Sequence, residues 1–269
     1  ERAFGHSHLT QIVTVVDDAV RIRTEVDWHE RRRMLKLAFP LDIHAHDAAY
    51  ETQFGYVRRP LHTNTSWDAA RYEVCAHRWV HVGEPGFGVG VANDAVYGHD
   101  VTRDSVDGRV VTTVRQSLLR APTFPDPGAD QGRHTFTTVL TPAPTTDEAL
   151  RAGARLAAPP RQITGAAAPE PVVSVAGVDG ASTSAVVSAV KLADDRSGDV
   201  IARVYESRGA RTRATLRADF AVAEVRECDL VETPLTDWTG TVAGDGSGGI
   251  GITLRPFEVL TLRLRRDHA

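Results

Sequence analysis

Apolar residues in this chain come in short runs that end at glycine, proline or an Asp-Gly pair, and only one stretch carries the signals of a helix. Runs of that length build strands, because side chains alternate between two faces and each breaker turns the chain back. Met34 to Phe39 closes at Pro40, and Ile43 to Phe54 closes at Gly55. Tyr72 to Val80 alternates, which puts Tyr72, Val74, Ala76, Arg78 and Val80 on one face and Glu73, Cys75, His77 and Trp79 on the other. Phe87 to Ala92 and Val110 to Leu119 read as two further strands. Arg103 to Arg109 reads as a hairpin tip, since Asp107-Gly108 suits a tight turn.

The helix begins at Thr145-Thr146-Asp147-Glu148, where Thr145 and Glu148 have the spacing of a capping box and Ala149, Leu150, Ala152, Ala154, Arg155 and Leu156 are good helix formers. Pro159-Pro160 stops it, and Pro159 to Pro171, rich in Ala, Pro and Gly, reads as a linker laid along a surface. Beyond it, Ser184 to Leu192, Val200 to Glu206, Arg213 to Phe220, Ala223 to Leu230 and Gly251 to Leu264 are β-rich, which predicts a small antiparallel sandwich. GDGSGG, without a following Lys-Ser or Lys-Thr, reads as a hairpin turn rather than a phosphate loop. These signals divide the chain into residues 1–144, part of a large sandwich, 145–171, helix and linker, and 172–269, a small C-terminal sandwich.

At 269 residues, with 42% hydrophobic and 25% charged, the chain has enough apolar material for a real core. No apolar run approaches the roughly 20 residues that cross a bilayer. The net charge of -4 gives no footprint for nucleic acid, and Arg31-Arg32-Arg33 and Arg263, Arg265 and Arg266 read as solvated strand faces. Cys75 and Cys228 have no metal-type spacing and read as two small buried apolar residues rather than a disulfide. Glu1 is not a Met, and ERAFGHSHLTQIV has no basic stretch followed by an apolar one, so the chain reads as a piece of a larger protein without a secretory signal. An Arg- and Ala-rich, Lys-poor composition is compatible with a high-GC bacterium and a cytoplasmic location.

A longer pattern runs from His62 to Gly132, as HTNTSWDAARYEVCAHRWVHVGEPGFGVGVANDAVYGHDV and then SLLRAPTFPDPGADQG. This block resembles the C-terminal half of the family 38 glycoside hydrolases, the retaining α-mannosidases, in their cytosolic and bacterial branch. VDWHERRRMLKLAFPLDI, TQFGYVRRPLHTNTSWD, RVYESRGARTRATL and LRPFEVLTLRL extend the likeness over nearly the whole chain. The resemblance implies an all-β fold: the later part of a large galactose-mutarotase-like β-supersandwich followed by the small antiparallel sandwich. It also implies a two-carboxylate retaining mechanism on α-mannosidic bonds in glycans, aided by a divalent metal, usually zinc. In the family those groups come from an N-terminal catalytic domain, and no segment here matches their motifs. The expected partners are therefore that N-terminal segment and mannose-containing glycans, with no nucleophile, acid or zinc ligand on this chain, which alone is expected to be inactive. A free-standing carbohydrate-binding or assembly module is the alternative.

Several residues invite assignment. Asn93 to Asp100 follows an apolar strand and breaks the alternation with hydrogen-bonding groups, as in a loop that presents side chains. By the resemblance this loop faces the barrel near the sugar cleft, which assigns Asn93, Asp94 and Tyr97 to substrate contacts or to the interdomain seam. The competing reading has Asn93 and Asp94 fixing the turn, and His99 departs from the residue usual there. Arg120 is a seam candidate through a carboxylate, with plain solvation equally open. His44-Ala45-His46-Asp47 puts two imidazoles on one strand face, although an exposed strand end explains them more simply, and His6-Ser7-His8 sits near an end expected to fray. Asp126 and Asp130 read as caps for their own loop, and Trp28, Trp67 and Trp79 read as packing residues rather than sugar platforms.

Overall fold

The computed structural model describes residues 1–161, 163–165, 170–235, 241–242 and 249–267. The chain divides into two compact units, Glu1–Gln162 and Ile163–Ala269. Among the described residues no helix is long and apolar enough to cross a membrane.

Unit 1 is built from β1 (Arg2–Phe4), β2 (Ser7–Val16), β3 (Ala19–Trp28), β4 (Leu35–Leu41), β5 (Asp47–Thr52), β6 (Gly55–Pro60), α1 (Ser66–Ala69), β7 (Val74–Cys75), β8 (Trp79–Glu84), β9 (Phe87–Asn93), β10 (Gly98–Val106), β11 (Arg109–Leu119), β12 (Gly132–Pro142) and α2 (Thr146–Ala157). Eight strands form one sheet in the order β1-β2-β3-β12-β9-β8-β5-β6, and four form a second in the order β4-β11-β10-β7. Ala48, Tyr50, Val80, Val82 and Val91 of the large sheet pack with Phe39 and Val114 of the small one.

The opposite face of the large sheet carries Ala49, Trp79 and Ala92, and α2 covers it through Ala149. The helix lies close because both partners are trimmed. A Cβ on Gly153 would sit 3.0 Å from Trp79 Cδ1, and one on Gly90 would sit 2.8 Å from Ala149 Cβ. The expected capping box is present, with the Thr145 side chain accepting from the helix backbone and Glu148 reaching back to the cap. The small sheet turns at Asp107 (φ 51°) and Gly108 (φ 76°), whose positive φ values suit the two-residue turn between β10 and β11.

Four sequence expectations in unit 1 are corrected. Tyr72 to Val80 is not one strand: β7 belongs to the small sheet and β8 to the large one. The chain crosses between them at Ala76 to Arg78, where Ala76 N–H donates to Tyr97 O and His77 N–H donates to Glu51 O, both at 2.9 Å. Trp79, 1% exposed, is therefore core, whereas Cys75, expected to be buried, is exposed. The strand expected to close at Pro40 runs on to Leu41, because β4 is an edge strand, where a residue without an N–H is tolerated. The start of the chain is also pinned rather than frayed: Glu30 Oε1 accepts from His6 N–H at 2.8 Å and Ser7 Oγ accepts from His29 N–H at 2.8 Å.

Unit 2 contains β13 (Val173–Gly177), β14 (Ala185–Leu192), β15 (Val200–Glu206), β16 (Thr212–Ala218), β17 (Val222–Cys228), β18 (Thr241–Val242), β19 (Gly249–Leu254) and β20 (Val259–Arg266). They form two antiparallel four-stranded sheets, β13-β16-β19-β18 and β14-β15-β20-β17, around Leu216, Ile250, Leu254, Leu262 and Leu264. The fold is all-β, as expected. Gly251 to Leu264 is two strands rather than one, because Arg255 to Glu258 turns the chain, with Pro256 in the bend and Phe257 at φ 56°. Glu206, 0% exposed, ties two loops together. Its carboxylate accepts from the backbone N–H of Arg208, Gly209, Ala210 and Phe257 at 2.7 to 3.1 Å. Cys228 is buried, and both cysteines are free. The expected GDGSGG turn and the middle of the expected linker lie outside the described residues.

Candidate functional site

The loop after β9 is built by Asn93. Its Oδ1 accepts from Ala95 N–H at 3.1 Å and Val96 N–H at 2.8 Å, an arrangement that short amide side chains favour at turns. Its Nδ2 donates to His77 O at 3.4 Å, and the residue is 3% exposed. Asp94, which is exposed, pairs with β12: its Oδ1 accepts from Thr137 N–H at 2.9 Å. Tyr97 is half exposed and stacks on the His77 ring with centroids 5.4 Å apart and planes 20° apart. The three residues singled out in the sequence thus share one loop, with Asp94 and Tyr97 exposed and Asn93 buried.

Behind the His77–Tyr97 stack lies a partly buried ion pair that was not among the residues singled out in the sequence. Glu51 is 2% exposed, and Arg78 Nη2 donates to its Oε1 at 2.5 Å while Arg78 N–H donates to its Oε2 at 2.7 Å. His77 Nδ1 sits 3.9 Å from the same carboxylate. A forked guanidinium contact of this kind fixes orientation as well as charge. Because Asn93 N–H donates to Arg78 O at 2.9 Å, the loop, the stack and the ion pair form one rigid block. A clue was available in Ala48-Ala49-Tyr50-Glu51, a carboxylate at the end of an apolar run, which needs a cation once buried.

Other candidates fall elsewhere. Asp130 Oδ2 accepts from the N–H groups of Arg120 and Ala121 at 2.8 Å, and Asp126 Oδ1 accepts from Gly128 N–H at 2.8 Å, so both cap their loop. Arg120 is exposed and has no carboxylate within ion-pair distance among the described residues. Trp28 and Trp79 are core residues, whereas Trp67 is 84% exposed. His99 is fully buried and donates from Nδ1 to Tyr97 O at 3.1 Å, and burial holds its pKa below the ordinary histidine value.

The rings of His44 and His46 lie 5.1 Å apart, but among the described residues no group of three or more His, Cys, Asp or Glu is placed to hold a metal. Zinc takes four ligands. The described residues form no such site, and the resemblance places the zinc ligands in an N-terminal domain.

Two family models match: "Glycosyl hydrolases family 38 C-terminal domain" over residues 1–128 and "Glycosyl hydrolases family 38 C-terminal beta sandwich domain" over residues 184–262. The chain is 38% identical over 249 residues to Alpha-mannosidase 2C1 of Homo sapiens, with 91% of this chain and 23% of that protein covered. The chain belongs to glycoside hydrolase family 38. It is also 32% identical over 278 residues to the Alpha-mannosidase of Saccharomyces cerevisiae, with 93% of this chain and 24% of that protein covered. Among solved structures, an alpha-mannosidase from Enterococcus faecalis V583 shares the fold with a TM-score of 0.71 at 20% identity, covering 96% of this chain and 29% of that one. The chain spans about a quarter of the length of the curated relatives it matches. Within this family 38 region, the loop, the stack and the ion pair all lie in the first matched segment.

Proposed function

We propose that this chain is the C-terminal portion of a retaining α-mannosidase that hydrolyses α-mannosidic bonds in glycans. In this reading, polypeptide outside residues 1–269 supplies the two catalytic carboxylates and the zinc ligands, and this chain shapes the sugar cleft and supports that segment. Residues 1–144, 145–171 and 172–269 serve as sandwich part, connection and terminal sandwich. Tyr97 and Asp94 face the cleft or the seam, and Asn93 holds them in place. We assign the protein to the cytoplasm on its Arg- and Ala-rich composition.

The observation that carries the reading is an uncovered apolar face within unit 1. Val13, Val15 and Val20 lie on the same face of the large sheet as Ile22 and Leu140, which pack into the core, yet they are 60%, 75% and 36% exposed. An eight-stranded sheet opposite a four-stranded one leaves this face open, and an open apolar face favours a covering partner over a free-standing module.

The test is hydrolysis of a chromogenic α-mannoside by the chain alone and by the chain expressed together with the polypeptide encoded upstream of it. The expected result is no turnover alone and chelator-sensitive turnover together. Turnover by the 269-residue chain alone, or none by the pair, overturns the reading.

A further inference from the structure

On the face of the large sheet away from the core, α2 packs on β9, β8 and β12, and β3 and β2 continue the sheet beyond it. The flank of α2 and the β2–β3 hairpin therefore border a groove of about 380 Å³. Val16, Ala19 and Val139 form its floor, and Ala152 and Leu156 its wall. Val16 is 52% exposed, and Ile12, on the same face of β2, is 48% exposed. An apolar groove rimmed by charge, on a sheet face that already seats one helix, has the form that receives another.

The strand register shows how charge runs along this groove. Ala149 of α2 meets Gly90, and Gly153 meets Trp79, whose strand partner is Ala92. Gly90 pairs with Thr141, and Ala92 pairs with Val139, which in turn pairs with Arg21. The helix therefore starts near the hairpin tip, where Asp17 and Asp18 turn the chain between Val16 and Ala19, and runs from there past Arg21. Asp17 and Asp18 make the end beside the start of α2 acidic, and Arg21 and Arg155 make the other end basic. None of these four is in an ion pair among the described residues.

The helix repeats the same order of charge. Asp147 and Glu148 lie in its first turn and Arg155 in its last, with the small Ala152 between them on the groove side, which lets another helix come close. Laid antiparallel in such a groove, a helix that is acidic at its start and basic at its end meets opposite charge at both ends. A surface that complements itself in this way is what a twofold interface requires.

We propose that this groove is a dimer interface, in which α2 of a second copy of the chain lies antiparallel beside α2. Arg155 of each copy reaches Asp17 and Asp18 of the other, with its aliphatic stem over Val16. Glu148 of each copy faces Arg21 and Arg155 of the other. The inference stands apart from the function proposed above, because the groove lies on the opposite face of the sheet from Val13, Val15 and Val20.

The experiment is sedimentation of the 269-residue chain over a range of concentrations, alone and together with the polypeptide encoded upstream of it. A monomer–dimer equilibrium weakened by added salt is expected in both samples. Arg155→Glu and Asp18→Arg are each expected to raise the dissociation constant about tenfold or more, because each sets like charges against one another. Asp17, at φ 52°, is left unchanged so that the turn is not strained. The variant carrying both reversals is expected to recover most of the loss. Both positions are exposed, so the thermal melts should match the parent, and Arg155→Ala, a milder change, should weaken association less than Arg155→Glu. A monomer at every concentration, association unchanged by either reversal, or a double variant no tighter than the single ones would overturn the interface. Loss of the dimer on binding of the upstream polypeptide would also overturn it, while leaving the proposed function standing.

Discussion

Unit 2 is closed and unit 1 is open, and the contrast separates what each is for. In unit 2, four strands face four, and the ionic groups serve the unit itself. Arg263 binds Asp199 and Asp195, and Lys191 reaches Asp194 and Glu232. In unit 1, eight strands face four, valines on the core side of the large sheet remain exposed, and Trp67, Tyr72, Tyr97 and Phe124 project from connections between strands. A closed sandwich needs only its own residues, whereas an open one with rigid exposed aromatics is arranged to be met.

The contrast can be broken at the core first. Trp79→Ala in unit 1 and Leu262→Ala in unit 2 remove side chains about 1% exposed or less. Each is expected to destabilise its own unit by about 3–5 kcal/mol in a denaturant melt, with the other unit unaffected. If one substitution unfolds both units together, they are not independent. Glu51→Ala leaves Arg78 facing an empty site and is expected to cost unit 1 about 2–4 kcal/mol by the same measurement, less than for a wholly buried pair because Arg78 is 27% exposed. It should also abolish the ordered stacking of His77 on Tyr97, read from their ring resonances.

A smaller effect belongs to unit 2. Burial pushes the Glu206 carboxyl up, but the N–H groups of Phe257, Arg208 and Ala210 outweigh it and hold the group below its ordinary value in the fold. A depressed carboxyl contributes stability that is fully present above the unfolded value of about 4.3 and is lost as pH falls through the lower folded value. Unit 2 should therefore weaken below about pH 4.3, and Glu206→Gln should cost about 1–3 kcal/mol at pH 7 while flattening that acid limb. Asp195, held to about 2 by the Ser197 backbone, its hydroxyl and Arg263, should keep its ion pair well into acid. The smallest effect is expected at Val15→Ser, within about 0.5 kcal/mol in the chain alone, since the side chain is 75% exposed. A large loss of stability there in isolation would show that the face is already covered and would end the contrast.

Most strands were legible because their signals are local: alternation, a closing Gly or Pro, and a turn pair such as Asp107-Gly108. The capping box at Thr145 was legible for the same reason. The run from Tyr72 to Val80 misled because alternation survives even when a chain steps from one sheet to another, and the step at Ala76 to Arg78 is set by distant partners, Tyr97 and Glu51. Gly251 to Leu264 misled because Pro256 is flanked by residues that suit strands. At the site, the loop from Asn93 to Tyr97 announced itself through its residue types. Its backing did not, because nothing local says that Glu51 and Arg78, far apart in sequence, share one buried contact.

The close seating of α2 has a consequence for descent. Gly153 leaves room for the Trp79 indole, and Gly90 leaves room for Ala149, so each glycine and its neighbour occupy one shared volume. A side chain gained at either glycine must be matched by one lost across the contact. Among relatives these four positions should drift in pairs or stand still, which would let the helix be docked from aligned sequences alone.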